Sequence, residues 1–530
     1  MVGAAVALLA LFAGAWQLFL ACTTIVPAAG GRYVEAALGQ PTTLNPLLAA
    51  DDAADHVWLP LLFAGLTRVE PDGRVVPDLA ERWERSADGR TYTFVLRERL
   101  RWSDGSPLTA ADVVFTYEAL RDPTFPADAD RLAPWRELQV EALDDRTVRI
   151  VLPRPWAAFP EAAALGLVPR ARLAGTRGTA WLTHPFNLDP IGAGPYRLLD
   201  LTAQEMVLAP NPYYHGRAPY LAELRFRFYS DLATAQAALQ AGAVDGLAAV
   251  GQPLAPPPGV PVVSYAHPDY SRVTILWLDT TAPPFDERAV RLAVAHAIDR
   301  ERLVGEVPGA AAPAWGPLPP NSWAAAAGAW PSYAPDRARA LLDGAGWRAT
   351  AGGERQRQGR PLAISLVTNP DAGRQRAAEA VARDLRAVGF RVEVVLRPWD
   401  ELAREELAGG RFQALLGGYW TPRRDPDLLR DLWSTEGAAN LAGWHQPRAD
   451  ELLAQGAASD DPATRLEAYR AFQALWAAEL PSVPLYYPLS SWLAPSRLQG
   501  IEPAALTGPA ARLAQLPDWY LRTGRVLRGW

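Results

Sequence analysis

No lysine occurs anywhere in the 530 residues, so all 52 basic side chains are arginine. That excludes a Walker-A phosphate lysine, a Schiff-base amine and a kinase-type lysine together. Cysteine occurs once, at Cys22, so the chain has no internal disulfide, and its single thiol lies just behind an apolar leader. The six histidines (His56, His184, His215, His267, His296 and His445) are far apart, and none forms an HExxH or another short metal spacing. A Gly-x-Ser-x-Gly elbow is also missing. Acid pairs such as Asp51-Asp52 and Asp460-Asp461 are what chance supplies among 58 acidic residues, and they read as structural or solvated. A net charge of -6 argues against nucleic acid as a partner, which usually needs a basic stripe to replace phosphate counterions. The sequence thus nominates no catalytic residue, no metal and no cofactor, and the expectation is a protein that is not an enzyme.

What is present belongs to a folded chain: 49% hydrophobic and 21% charged residues, over a length too great for one core. Two or three domains are expected. The apolar run Val2 to Ala21 is about long enough to span a bilayer and also reads as a secretory h-region. Leu18-Phe19-Leu20-Ala21-Cys22 resembles a bacterial lipobox, with lipidation expected at Cys22. An uncleaved anchor and ordinary signal cleavage are the alternatives, and all three place the domain outside the cytoplasm. Thr23 to Gly31 is small and polar enough for a short tether, with folding expected to begin near Arg32.

Thr91 to Leu120 joins three signals without a gap. Tyr92, Phe94 and Leu96 alternate with Thr91, Thr93, Val95 and Arg97, the period of a strand with one buried face. Asp104-Gly105 and Pro107 then turn the chain. Thr109 with Asp112 three residues on predicts a capped helix running to about Leu120. This strand, the Trp102-Ser103-Asp104-Gly105 turn and the Pro107-Leu108-Thr109-Ala110 entry resemble the fingerprint of the family 5 extracellular solute-binding proteins, the dipeptide and oligopeptide receptors of ABC importers. Gly192-Ala193-Gly194-Pro195-Tyr196, Pro283-Pro284-Phe285-Asp286 and Asp425-Pro426-Asp427 follow in that family's order, so the resemblance runs from about Leu44 to Tyr487.

The resemblance implies an α/β, two-lobed periplasmic-binding-protein-like fold of type II, with an extra α+β subdomain in lobe I. The implied boundaries are a leader over 1–22, lobe I over 32–270 with the subdomain at about 76–189, lobe II over 271–484 and a return to lobe I over 485–530. Periodicity agrees in places. Leu224, Phe226 and Phe228 alternate with arginines, 272–279 reads as a buried strand, and Val290, Ala293, Val294, Ala297 and Ile298 make one helical stripe. From Leu362 a strand, a helix ending near Gly389 and a strand over 391–396 predict a parallel βαβ unit.

A binding site in such a fold is a cleft between lobes, lined by aromatics and a few polar groups. The best candidate is Gly417 to Asp427, which follows an apolar strand over 412–416 and resembles the family's Gly-Trp-Thr…Asp-Pro-Asp segment. From it the nominated ligand contacts are Tyr419, Trp420, Thr421, Arg423, Arg424 and Asp425, joined from lobe I by Asp52. In peptide-binding members an aspartate between that tryptophan and the Asp-Pro pair holds the peptide's α-ammonium. Here Pro422, Arg423 and Arg424 fill the interval. A buried ammonium without its partner charge is costly, and two guanidinium groups suit an anionic or hydroxyl-rich solute instead. The expected partners are a small-molecule or peptide solute and the membrane permease subunits of an ABC importer, served by a monomer held at the membrane by its lipid or leader. A hydrolase on a similar scaffold and a permease-independent sensory or chaperone-like binding protein are the competing classes.

Overall fold

The computed structural model describes residues 22–49, 57–70, 73–127, 129–326, 328, 330–402, 412–420, 425–506 and 508–527. The alternating segment forms strand Thr91–Leu96, with Tyr92, Phe94 and Leu96 buried. It lies in a four-stranded antiparallel sheet between Ala80–Arg85 and Thr147–Val151, with Gln139–Ala142 at the far edge. The capping box forms as expected. The Thr109 N–H donates to the Asp112 carboxylate at 2.9 Å, and the helix runs over Ala110–Arg121. Asp112 also accepts the Arg170 N–H at 2.9 Å, so one carboxylate starts a helix and fixes a distant turn.

The main sheet has twelve strands. One half comprises Arg391–Leu396, Ala363–Thr368, Ala414–Trp420 and Arg272–Leu278; the other Gly246–Val250, Arg32–Leu38, Glu223–Tyr229, Glu205–Pro210 and Tyr196–Leu201. Between them runs the 14-residue strand Ser482–Pro495. Val262–Pro268 and Ala310–Pro313 also pair with this strand. Ala363–Thr368 and Arg391–Leu396 are parallel and joined by helix Ala372–Ala387, the predicted βαβ unit. At Gly192 and Gly194 the chain passes so close to Leu62 and Phe63 that a Cβ would collide with backbone, which is why the Gly-x-Gly-Pro-Tyr segment needs glycine.

Two large cores sit on the two halves. One gathers side chains from Tyr33 to Phe226 and is rejoined by Trp492 to Trp519. The other gathers Ile275 to Tyr486. Two lobes thus share a sheet seam, crossed at residues 269–272 and along the long strand. The returning chain is locked into the first lobe by a buried ion pair. Both Arg512 Nη atoms reach the Glu35 carboxylate at 2.7 Å, the Tyr33 hydroxyl donates to it at 2.6 Å, and the guanidinium lies over the Trp492 ring.

Two local readings change. Thr23 to Ala28 is not a loose tether but a strand paired antiparallel along its whole length with Arg522–Leu527. Its pairing partner lies at the other end of the chain, and no local period reveals that. Gly417 to Trp420 continues the apolar strand instead of leaving it, because Arg272–Leu278 offers an edge for all seven residues.

Replacing Arg512 by alanine leaves Glu35 charged and buried without its cation, and an uncompensated buried charge costs about 3–5 kcal/mol. Denaturant unfolding followed by tryptophan fluorescence is expected to show that loss. A change below about 1 kcal/mol would mean that the pair is solvated in solution.

Candidate functional site

The candidate segment begins on a strand end. Trp420 pairs with Arg272 and Tyr419 with Val273, so the end of Ala414–Trp420 lies beside the first crossing between lobes. Gly418 is needed there, since a Cβ would meet the Val273 carbonyl at 2.6 Å. Tyr419 is half-buried among Val273, Tyr270, Ala312, Ala314 and Tyr487, and its hydroxyl donates to the Pro317 carbonyl at 3.0 Å. Burial raises the Tyr419 phenol above its ordinary value, so it stays a neutral donor. Tyr270 and Tyr487 meet edge to face at 5.0 Å beside it. This aromatic cluster packs at the seam where the lobes join.

Thr421, Arg423, Arg424 and Asp52 lie outside the described residues. Of Trp420 the structure describes the backbone. Asp425, the next described residue, has a clear role: its carboxylate accepts from Arg465 at 2.6 Å and from the Asp427 N–H at 2.9 Å, which caps the short helix Pro426–Leu428. Its own N–H donates to the Glu161 carboxylate at 3.0 Å. Glu161 belongs to the first lobe and Asp425 to the second, so this hydrogen bond crosses between them.

Three more contacts cross nearby. The Ala157 N–H donates to the Ala457 carbonyl at 3.0 Å. Arg85 reaches the Ala458 carbonyl at 3.3 Å and the Asp460 carboxylate at 2.9 Å. The lobes therefore touch along one border, made by Arg85 and the 157–161 turn on one side and by Asp425 with the 457–460 turn on the other. Behind Asp425, the Arg465 guanidinium lies over the rings of Trp323 and Tyr469 and donates through Nε to the Gly456 carbonyl.

Asp427 stands apart. The residue is half-buried, but its Oδ1 is sealed from solvent with no hydrogen-bond partner among the described residues. Burial, then the charge of Asp425, pushes its carboxyl up to about 6. The Asp427 charge acts on Arg154 of the first lobe, as do the charges of Arg430 and Asp431. Glu161, Arg465, Trp323 and Arg154 carry no sequence signal of a site, since each meets its partners far along the chain. Only the Arg465–Tyr469 contact, at helical i,i+4 spacing, is local. Among the described residues, no group of three His, Cys, Asp or Glu side chains is placed to hold a metal ion.

Two lobes on a shared seam, with an aromatic cluster at the crossing and hydrogen bonds along the facing lips, define a two-lobed binding protein of type II. The chain belongs to the bacterial extracellular solute-binding proteins, family 5, whose middle region matches residues 74–440. It is 32% identical to Protein XP55 of Streptomyces lividans over 456 residues, covering 82% of this chain and 79% of that protein. It is 29% identical to Di/tripeptide-binding protein 2 of Pseudomonas aeruginosa, covering 83% and 85%. Among solved structures, NikA from Brucella suis in complex with Fe(III)-EDTA matches in fold, with a TM-score of 0.79 at 24% identity, covering 92% of this chain and 99% of NikA. The protein is an extracytoplasmic solute-binding receptor of the kind that serves ABC importers.

Glu161→Ala removes the acceptor of the lip hydrogen bond while leaving both cores intact. A hydrogen bond to a charged group contributes about 1.5–3 kcal/mol, so the variant is expected to favour the open form and show a larger radius of gyration in X-ray scattering. For Asp427, a folded value raised above the unfolded one means that the native state holds more protons, so stability falls as pH rises from the ordinary carboxylate range through about 6 and is flat above it. Asp427→Asn should abolish that slope and gain about 1–3 kcal/mol at neutral pH, read by denaturant unfolding at pH 4.5 and pH 7.5.

Proposed function

We propose that this receptor closes on a small polar solute that carries negative charge, peptide-like or otherwise, and presents it to the membrane permease of an ABC importer. The observation that carries this reading is the Asp425 N–H on Glu161. In sequence, Arg423 and Arg424 immediately precede Asp425, the residue whose N–H meets the opposite lobe. The neighbouring carboxylate is already taken by Arg465, and no acid stands between Trp420 and Asp425 in the sequence to receive an α-ammonium. A peptide would be read through its carboxylate more than through its amine. The Pseudomonas relative, named for di- and tripeptides, supports the peptide-sized range.

The same reading assigns Trp420, Tyr419, Thr421 and Asp52 to the cleft wall, with lobe I at 32–270 and 485–530 and lobe II at 271–484. Closure follows from the difference in solute affinity between closed and open forms, and no bond is made or broken. Cys22 is exposed at the start of the first strand, which suits attachment of a monomer to the membrane at that point by lipid or by a retained leader.

Mass spectrometry of solute retained through purification identifies the ligand class, and calorimetry then measures its affinity in the Arg423→Ala and Arg424→Ala variants. Losing a charge-assisted hydrogen bond costs about 1.5–3 kcal/mol, so at least one variant is expected to bind more than about tenfold more weakly. Unchanged affinity of both for an anionic solute would remove the arginines from the site.

A further inference from the structure

The strand pair Thr23–Ala28 and Arg522–Leu527 forms a two-stranded sheet of its own, outside the main sheet. Its root is firm. The Gly30 N–H donates to the Tyr220 carbonyl at 2.7 Å, and Leu521 packs against the first-lobe core. Its tip is different. Thr23 pairs with Leu527, Thr24 with Val526 and Ile25 with Arg525, and large apolar side chains there face outward: Ile25 is 59% exposed, Leu527 57% and Val526 39%. Directly opposite residues share a face, so Ile25 and Leu527 stand on one side of the ribbon and Val526 on the other. A two-stranded ribbon is marginal in water, and one that spends its large side chains on solvent gains nothing from them.

The sequence beside this tip names the occupant. The apolar run Val2 to Ala21, about long enough to span a bilayer, ends one residue before the Cys22–Thr23 junction. Whatever holds that run or Cys22 in a membrane brings the tip to the lipid surface. Arginine flanks the apolar residues at Arg522 and Arg525, and Arg528 and Trp530 follow in sequence, the residue types that favour a headgroup boundary.

We propose that this terminal ribbon is a membrane-resting stem. Its tip, Ile25, Val526 and Leu527, inserts into the headgroup–acyl boundary of the bilayer that carries the anchor, and so fixes how far and at what angle the lobes stand from the surface. The idea rests on the membrane attachment proposed above, and the two can fail separately.

The test uses the full chain with Cys22→Ala, in which the leader is retained as the anchor, reconstituted in vesicles of phosphatidylcholine and phosphatidylglycerol. Spin labels are placed at Ile25→Cys, at Val526→Cys and, as an aqueous control, at the exposed Arg448→Cys on the second lobe. Flotation reads attachment. Accessibility to oxygen against a water-soluble nickel chelate reads depth. The expected result is a floating protein whose two ribbon labels report a depth of about 5–10 Å into the headgroup–acyl boundary while the control reports water. A chain that does not float overturns anchoring by a retained leader, and overturns the stem with it, since the tip then shows no hold on the lipid surface. A floating chain whose ribbon labels match the control overturns the stem alone. So does a floating chain whose ribbon labels are shielded from both reagents, since the leader or a second copy would then cover the tip.

Discussion

Everything in this molecule hangs on the backbone of Ser482–Pro495, which must be hydrogen-bonded while passing from one hydrophobic core to the other. An unpaired buried peptide group is too costly to leave. The strand meets the requirement by changing partners: Arg272–Leu278 along its first residues, Ala310–Pro313 near its middle, then Gly246–Val250 and Val262–Pro268 to its end. Pro484 and Pro488 lie in the part that changes partners, where a missing N–H is tolerated, and the free Pro484 carbonyl takes the Arg300 guanidinium at 2.8 Å. One strand thus joins the two lobes while each keeps its own core.

Arginine does much of the internal polar work. Arg300 is buried with no carboxylate beside it among the described residues, held by the Pro484 and Pro331 carbonyls and the Trp315 face, and burial lowers it to about 10, still a cation at neutral pH. Arg355 collects the Val388 and Trp347 carbonyls together with Asp343. A planar fork with five donors satisfies several carbonyls at once, which an ammonium on a flexible stem does less well. A chain without lysine has this material everywhere, so an arginine pair in its sequence is a weaker sign of a ligand than elsewhere. For that reason the placement of Asp425 on Glu161, and not the residue type, carries the functional reading.

Much of the local architecture was legible. The strand at Thr91, the capped helix after Thr109 and the parallel unit after Leu362 all appear at or near their expected bounds. Each signal is contained in a few consecutive residues. The errors have one cause. Thr23 to Ala28 reads as a tether, and the apolar strand reads as ending at Leu416 and not at Trp420, because the pairing that makes each stretch a strand comes from a remote edge.

Of the candidate site, the sequence could point to the segment around Trp420 and to the missing aspartate, since both are readable residue by residue. It could not assign Asp425 to Arg465, nor bring Glu161 against a residue 264 positions away, nor pair Glu35 with Arg512 across 477. Periodicity, caps and turns are short-range physics, written where they act, and they determined the elements and their order. Which lips meet, which charges are buried and which ends pair follow from the packing of two cores around one strand, and only the tertiary structure decides that.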